Sequence, residues 1–512
     1  MQIASHLVEA WWLPPARHGS MLKGIFRGVD AVAGRDAFDE AYGRGVPRAV
    51  RGPVRPTTRQ RIRDPLDAAL PGAIEGAELR PNEQTALGGS VLKSDGSLAR
   101  GWVVVENGKI VSVRSTKPRD VQHAINTGGV ILPGLIDLHG HPEYNVFAAW
   151  EPPNVYINRG SWRDSDEYDQ LIKKPWAALT AGGKSMSVKT AMTRYAEVRA
   201  VVGGVTAIQG ASQDYPNKAE ALVRNVDLRV FGTQIARSTV DFDRLDEADI
   251  ESIRKGIFDT GTVKAHYVHL AEGQKTNQTS VNEFLKFTAA PLFGPATVVI
   301  HGTALTRVHF EQLAAAGGKL VWSPQSNLRL YNETTDLGAV LAAGVPVALG
   351  ADWMPSGSPS LLHEMKVAWQ VLQQSPGVTV KPDDLVRMVT SDAARIAGLA
   401  DKLGTLEAGR SADLTIIQKR LDDPYDSVVA AYPSWVDLVM IGGDIIYGRP
   451  DWIAEISTPV PYEPVTAWGR PMLLDTRFGS PEDAGTDGPP RRLKEMRAKL
   501  IARYPAVGPI FA

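Results

Sequence analysis

The stretch GGVILPGLIDLHGH, residues 128–141, governs how the rest of the chain is read. It is an apolar run that ends in a cluster of polar residues. A strand covered on both faces of a parallel sheet needs such a run, and in parallel barrels the functional side chains stand at the C-terminal strand ends. The run therefore predicts a buried parallel strand that delivers His139 and His141 to the mouth of the fold. Alternation along an extended chain puts both imidazoles on one face, with Gly140 leaving room between them. Two imidazoles on one side of a strand end make half of a site for a divalent ion.

Downstream the pattern recurs. GVTAIQG (204–210), LRVFGTQIA (228–236), VKAHYVHLAEG (263–273), ATVVIHG (296–302), KLVWSPQSN (319–327) and VPVALGADW (345–353) are short apolar runs ending in polar residues. Helical stretches such as TRVHFEQLAAAGG (306–318) lie between them. This alternation predicts an α/β fold, a distorted (β/α)8 TIM barrel over residues 133–402. On the N-terminal side, SVLKSDGSLARGWVVVENGKIVSV (90–113) reads as strands joined by turns, with ENG a hairpin signal. LGTLEAGRSADLTIIQK (403–419) and SVVAAYPSWVDLVMIGGDIIYG (427–448) read the same way. Residues 81–132 and 403–454 are expected to pair into a small accessory β-sandwich. Residues 1–80 read as a partly irregular extension, and residues 455–512 as a tail with one terminal helix.

Composition removes several function classes. The chain of 512 residues is 43% hydrophobic, enough for a sizeable core. Lysine plus arginine (56) balance aspartate plus glutamate (57), so there is no field for a phosphate backbone and no nucleic acid partner is expected. The absence of cysteine excludes disulfides, thiolate catalysis and cysteine-held clusters, leaving imidazole and carboxylate as metal donors. The longest apolar run, LGAVLAAGVPVALGA (337–351), contains glycine and proline and is short of a membrane span, so no membrane role is expected. The N-terminal MQIASHLVEAWWLPPARHG lacks the basic region and apolar run of a signal peptide, so the expected location is cytoplasmic.

His269 closes its run in YVHLAEG and supplies a third imidazole. Asp352 closes VPVALGADW, where a carboxylate after an apolar strand is costly unless paired or metal-bound. His301 either binds the ion as well or hydrogen-bonds its water and the developing oxyanion. Glu272, three residues beyond His269, is expected to move a proton from water to the leaving atom, its pKa raised toward neutrality by partial burial. Asp352 is a second candidate acceptor of that proton. His266 falls on the opposite strand face from His269 and reads as packing.

With these residues in place, the chain resembles the amidohydrolase superfamily, within it the branch of cytosine, guanine and adenosine-type deaminases and triazine chlorohydrolases. The resemblance rests on ILPGLIDLHGH, VHLAEG, VIHG, WSPQSNLRL and GADW and runs from about residue 85 to 450. It implies a mononuclear site, usually zinc and sometimes iron, with His139, His141, His269 and Asp352 as ligands. It implies Glu272 as the proton shuttle of a His-x-x-Glu motif, His301 as the histidine that positions water or touches the metal, and Asn327 as a polar residue of the framework or near the substrate. Relatives often carry His-Cys-Pro where this chain has Trp322-Ser323-Pro324, which removes a histidine and adds an indole. Such donors also suit cobalt or manganese.

The expected reaction is hydrolysis of a non-peptide carbon–nitrogen bond by water that a divalent ion acidifies, to a pKa of about 7. Deamination of a heterocyclic or aromatic-like small molecule comes first. Hydrolysis of an amide, lactam, urea or carbamate is the alternative, and dehalogenation a third. A non-enzymatic scaffold has no use for an acid–base carboxylate beside a ligand set. Residues 141–164 offer Tyr144, Trp150 and Trp162 beside Arg159, and with Trp322, Asn327 and Trp353 these are the expected substrate-binding residues. A homodimer or higher homo-oligomer is expected through the accessory sheet edges or the N-terminal segment.

Overall fold

The computed structural model describes residues 83–181, 186–210, 222–231, 233–375, 377–456, 462–476 and 492–511. The extension expected over residues 1–80 lies outside them. Four strands come first: β1 (Thr85–Leu92), β2 (Leu98–Glu106), β3 (Lys109–Arg114) and β4 (His123–Pro133). β2 returns as β3 through Asn107 and Gly108, whose φ of 48° and 74° suit a tight two-residue hairpin. Next come β5 (Leu135–Asp137), β6 (Val205–Ile208), β7 (Arg224–Asn225), β8 (Arg229–Val230), β9 (Thr233–Gln234) and β10 (Ala236–Thr239). They are followed by β11 (Ala265–Leu270), β12 (Thr297–His301), β13 (Lys319–Trp322) and β14 (Val347–Leu349). β15 (Leu414–Ile417), β16 (Val436–Ile441), β17 (Asp444–Gly448), β18 (Glu463–Ala467) and β19 (Arg470–Leu474) close the series.

β5, β6 and β7 pair in parallel, and β10 to β14 pair in parallel in chain order. The run 228–236 does not form a single strand. Phe231, at φ 50°, turns the chain back into the antiparallel β8–β9 ribbon, and β10 carries the parallel pairing. The two parallel sheets meet at a seam. Gly140, beyond β5, forms a parallel bridge with Asp352, beyond β14, and Asp352 N donates to His139 O at 2.8 Å.

Side-chain alternation divides the core. Ala265 and Tyr267 of β11 join Ile136, Ala207, Ala236, Val298, Ile300, Val321 and Ala348 in one cluster, drawn from seven of the parallel strands. Val268 and Leu270 fall in a second cluster with Phe284 and Phe287 of the helix Gln278–Thr288. That helix begins where the Asn277 side chain accepts from Ser280 N, and its buried phenylalanines each contribute about 1.5–3 kcal/mol relative to exposure.

Strand pairing joins the two flanking segments in one mixed sheet of nine strands, ordered β18-β19-β17-β16-β15-β4-β1-β2-β3. β4 is the junction, parallel to β1 and antiparallel to β15, with Ile131 opposite Ile416. The sheet runs past residue 454, because β19 pairs with β17, Leu474 opposite Tyr447. The segment expected as a tail thus supplies two strands, and its helix Leu493–Arg503 buries Leu493, Met496 and Leu500 in the main core.

The seam explains one glycine. Gly210 has φ 98°, and a Cβ there would lie 1.6 Å from Gly140 O. Gly210→Ala is expected to cost about 2 kcal/mol or more. Gly344→Ala, at φ 75° with no atom within 4 Å, is expected to cost about 1 kcal/mol. Thermal unfolding of the two variants measures the difference.

Candidate active site

The polar residues at the strand ends converge. His139 and His141 follow β5, His269 lies in β11, His301 ends β12 and Asp352 follows β14. Ala271, His301 and Asp352 adopt φ of 53°, 68° and 61°. Left-handed backbone in a non-glycine residue costs about 1–3 kcal/mol, and here it turns the chain sharply where the strands end. His139 Nε2 lies 3.1 Å from His269 Nε2 and 3.4 Å from Asp352 Oδ1, and His141 Nε2 lies 3.7 Å from Asp352 Oδ1. Donor atoms of His139, His269 and His301, and likewise of His139, His141 and Asp352, all fall within 4.8 Å of one another.

This donor set fits one ion. Ligand atoms held at 2.0–2.1 Å around a tetrahedral centre are about 3.3 Å apart, close to the separations found here. Burial holds His139 and His269 well below the ordinary imidazole pKa and His141 at about 4, and the neighbouring histidines add to the effect. Each is neutral near pH 7, so a nitrogen lone pair is free to bind metal. His301 Nδ1 donates to Asn327 Oδ1 at 2.9 Å, which leaves its Nε2 lone pair facing the cluster. His139 Nδ1 pairs with Ser323 Oγ at 2.8 Å and is oriented in the same way.

Two buried carboxylates flank the imidazoles in different environments. Burial pushes the Glu272 carboxyl up, but His301, Arg159 and the Tyr331 hydroxyl together hold it below its ordinary value. The raised pKa expected for Glu272 is therefore not found. Its Oε2 lies 3.7 Å from His301 Nε2, and its Oε1 accepts from Tyr331 at 2.6 Å. Asp352 is the raised carboxyl, pushed well up by burial and by the charge of Glu272 against the Ser326 hydrogen bond. A third carboxylate, Asp137, accepts from His139 N at 3.3 Å and Ala351 N at 3.0 Å, and burial pushes it up to about 7.

The expected substrate residues separate. Tyr144 is partly exposed, edge-on to Trp353 at 5.4 Å, and Trp353 meets His141 at 6.2 Å. Trp150 is packed against Tyr156, Trp162 and Tyr168. Trp322 is fully buried, its Nε1 donating to Thr334 Oγ1, so the extra indole fills core rather than widening the pocket. Asn327 is buried and committed to His301. Arg159 is ringed by Asp241 and Glu283, each at 3.4 Å, and Glu272 at 3.8 Å, which leaves it poorly placed to recruit a substrate carboxylate. His266 lies on the other strand face, with Nε2 on Thr239 Oγ1 at 2.9 Å. A narrow cleft lined by Asp137, Gly140, Asn145, Arg199, Gln209 and Asp352 adjoins the cluster, and none of the imidazoles lines it.

Ser323, Tyr331 and Asp137 escaped the sequence reading. Tyr331 had a signal: it follows Asn327 by four residues on the buried helix Pro324–Tyr331, so both share a face. Ser323 and Asp137 had none, since only a fold that juxtaposes distant strand ends gives their side chains partners.

The Amidohydrolase family profile matches residues 246–446. A 5-methylthioadenosine/S-adenosylhomocysteine deaminase of Desulfitobacterium hafniense is 26% identical over 356 residues, 62% of this chain and 80% of that protein. An 8-oxoguanine deaminase of Pseudomonas aeruginosa is 23% identical over 424 residues, 69% of this chain and 91% of that protein. An adenosine deaminase structure from Xanthomonas campestris, with bound zinc, is similar at a TM-score of 0.56 and 17% identity, over 70% of this chain and 92% of that one. The chain is thus similar to the amidohydrolase family over residues 246–446 and, at lower identity over a longer span, to deaminases. These similarities support a metal-dependent hydrolase acting on carbon–nitrogen bonds.

Glu364 supports this region from behind. Gln325 N donates to it at 3.0 Å, Ser358 bonds its other oxygen, and burial pushes it up to about 8 from an ordinary 4.5. Between those values the folded protein holds a proton that the unfolded chain has released. Its contribution to stability is full below the lower value and is lost as pH rises toward the higher one. Glu364→Gln is expected to flatten the dependence of melting temperature on pH between about 5 and about 8, as thermal melts would record.

Proposed function

We propose that the protein is a zinc-dependent aminohydrolase that releases ammonia from a nitrogen heterocycle. The observation that carries this reading is the convergence of neutral imidazoles and a carboxylate on one point, with Glu272 alongside. The eight parallel strands form a (β/α)8 barrel over residues 133–402, closed at the seam between β5 and β14. The flanking segments 81–132 and 403–454, with β18 and β19, form the accessory β-sandwich.

His139, His141, His269 and Asp352 would hold the ion, and His301 can join them through Nε2. Zinc supplies acidification of water and polarisation of the bond under attack. Glu272 takes a proton from the attacking water and passes it to the departing nitrogen. Its position beside His301 puts it on the reacting side of the cluster. Asn327, an acceptor, holds His301 in the tautomer that leaves the Nε2 lone pair free, and Ser323 orients the His139 ring. Trp353 borders the His141 ring and Tyr144 borders Trp353, and the two offer flat surfaces to a ring. The deaminase relatives, named for an adenosine derivative and for 8-oxoguanine, favour a ring amine as the leaving group. The cytoplasm is the proposed location, consistent with a cysteine-free chain. The proposed assembly is a homodimer, for which β18, at one end of the nine-stranded sheet among the described residues, is the candidate contact.

The test is ammonia release by zinc-loaded protein from 5-methylthioadenosine, 8-oxoguanine and a panel of aminoheterocycles. Glu272→Gln is expected to lower turnover by about 10²–10⁴-fold while zinc content stays unchanged. Carbon–nitrogen cleavage of cyclic amides or ureas without ammonia would sink the deaminase reading in favour of ring hydrolysis. Ser323→Ala, which frees His139 Nδ1, is expected to weaken zinc binding by about 10–100-fold in a chelator competition.

A further inference from the structure

The carboxylate of Glu272 ends in a soft torsion, so its own backbone does not decide which oxygen faces the reaction. That choice has to be imposed by neighbours. Tyr331, fully buried, donates its hydroxyl to Glu272 Oε1 at 2.6 Å. Trp162 Nε1 donates to the Tyr331 hydroxyl at 2.8 Å. An indole N–H only donates, so it occupies the acceptor side of the hydroxyl and sends the hydroxyl proton toward Glu272. On the other side, Arg159 Nη1 lies 3.8 Å and His301 Nε2 3.7 Å from Oε2.

The aromatic segment after β5 is stitched to both partners. Arg159 N donates to Glu272 O at 3.2 Å, Gln274 N donates to Ile157 O at 2.9 Å, and Asn158 bridges Gly273. Tyr156 N donates to Leu330 O at 2.8 Å, next to Tyr331. The segment therefore fixes the chain around Glu272 and the helix end that carries Tyr331 with the same few residues.

We propose that Tyr331 is a positioning residue for Glu272: its hydroxyl, aimed by Trp162, occupies Oε1 and leaves Oε2, beside His301, as the oxygen that exchanges protons. The inference rests on the reading of Glu272 as the proton carrier. It assigns residues 156–162 to orienting that carboxylate rather than to gripping substrate. Hydrogen bonds sealed from water hold geometry more strongly than exposed ones, which suits this role.

The test compares crystal structures of zinc-loaded wild-type and Tyr331→Phe protein. The wild type is expected to show one Glu272 orientation, with Oε1 on Tyr331. Tyr331→Phe is expected to show a rotated or divided carboxylate with the zinc site intact. An unchanged single orientation in the variant overturns the proposal. If Tyr331→Phe does not fold, Trp162→Phe is read instead: a divided Tyr331–Glu272 pair supports the proposal and an unaltered pair overturns it. With 5-methylthioadenosine as the probe, kcat is expected to fall about 10–100-fold with KM within about twofold, the size of one hydrogen bond to a charged group. Failure of the deaminase reading leaves the crystallographic readout standing. Full turnover in Glu272→Gln would remove the proton-carrier role without touching the Tyr331 contact.

Discussion

Asp352 N donates to His139 O at 2.8 Å, and Asp137 grips His139 N and Ala351 N with one carboxylate oxygen. These contacts join the end of β5 to the end of β14, the first and last of the parallel strands. Without them the loop bearing His139 and His141 and the turn bearing Asp352 would be separate surface features. The close approach of Gly210 to Gly140 and the left-handed backbone at Asp352 belong to the same constraint. A seam this tight leaves no room for a side chain on the crossing backbone, and it sets the donor atoms at separations that suit one small cation.

The electrostatics follow from depth. Burial keeps the imidazoles neutral, so each could take a metal without first losing a proton. The two carboxylates share that burial but not their neighbours. Glu272 faces Arg159, His301 and the Tyr331 hydroxyl, which favour its anion. Asp352 faces another carboxylate and little compensation, so among protein groups alone it is driven toward its neutral form. A cation at the cluster would supply the missing compensation, and such a site gains most from metal where the protein leaves a charge unpaired.

The aromatic segment after β5 shows how composition can mislead about purpose. Flat side chains near a mouth suggest a binding surface, yet Trp150 and Trp322 are core, Trp162 is spent on Tyr331, and Arg159 is surrounded by carboxylates. Among the expected aromatic contacts Trp353 meets the His141 ring, and Tyr144 meets Trp353. The contacts of the segment run largely to other protein groups, among them Glu272 O, Gly273, Leu330 O and the Tyr331 hydroxyl.

The parallel strands and their polar ends were legible in the sequence, because a buried parallel strand needs an unbroken apolar run and its functional residues sit where that run stops. His139, His141, His269, His301, Glu272 and Asp352 were expected in this way and lie together in the structure, and the face of His266 followed from strand alternation. The β8–β9 ribbon and the strands beyond residue 454 were not found, since left-handed backbone at Phe231 and pairing between distant strands leave no local pattern. The same holds for the environments within the site. Whether Glu272 or Asp352 carries the raised pKa depends on which charges lie within a few ångströms, and those charges come from separate strands and from the segment folded over them. Sequence by itself determined which residue types stand at the strand ends. Tertiary structure alone decided their partners, because hydrogen bonds and Coulomb interactions are set by distance in space rather than by separation along the chain.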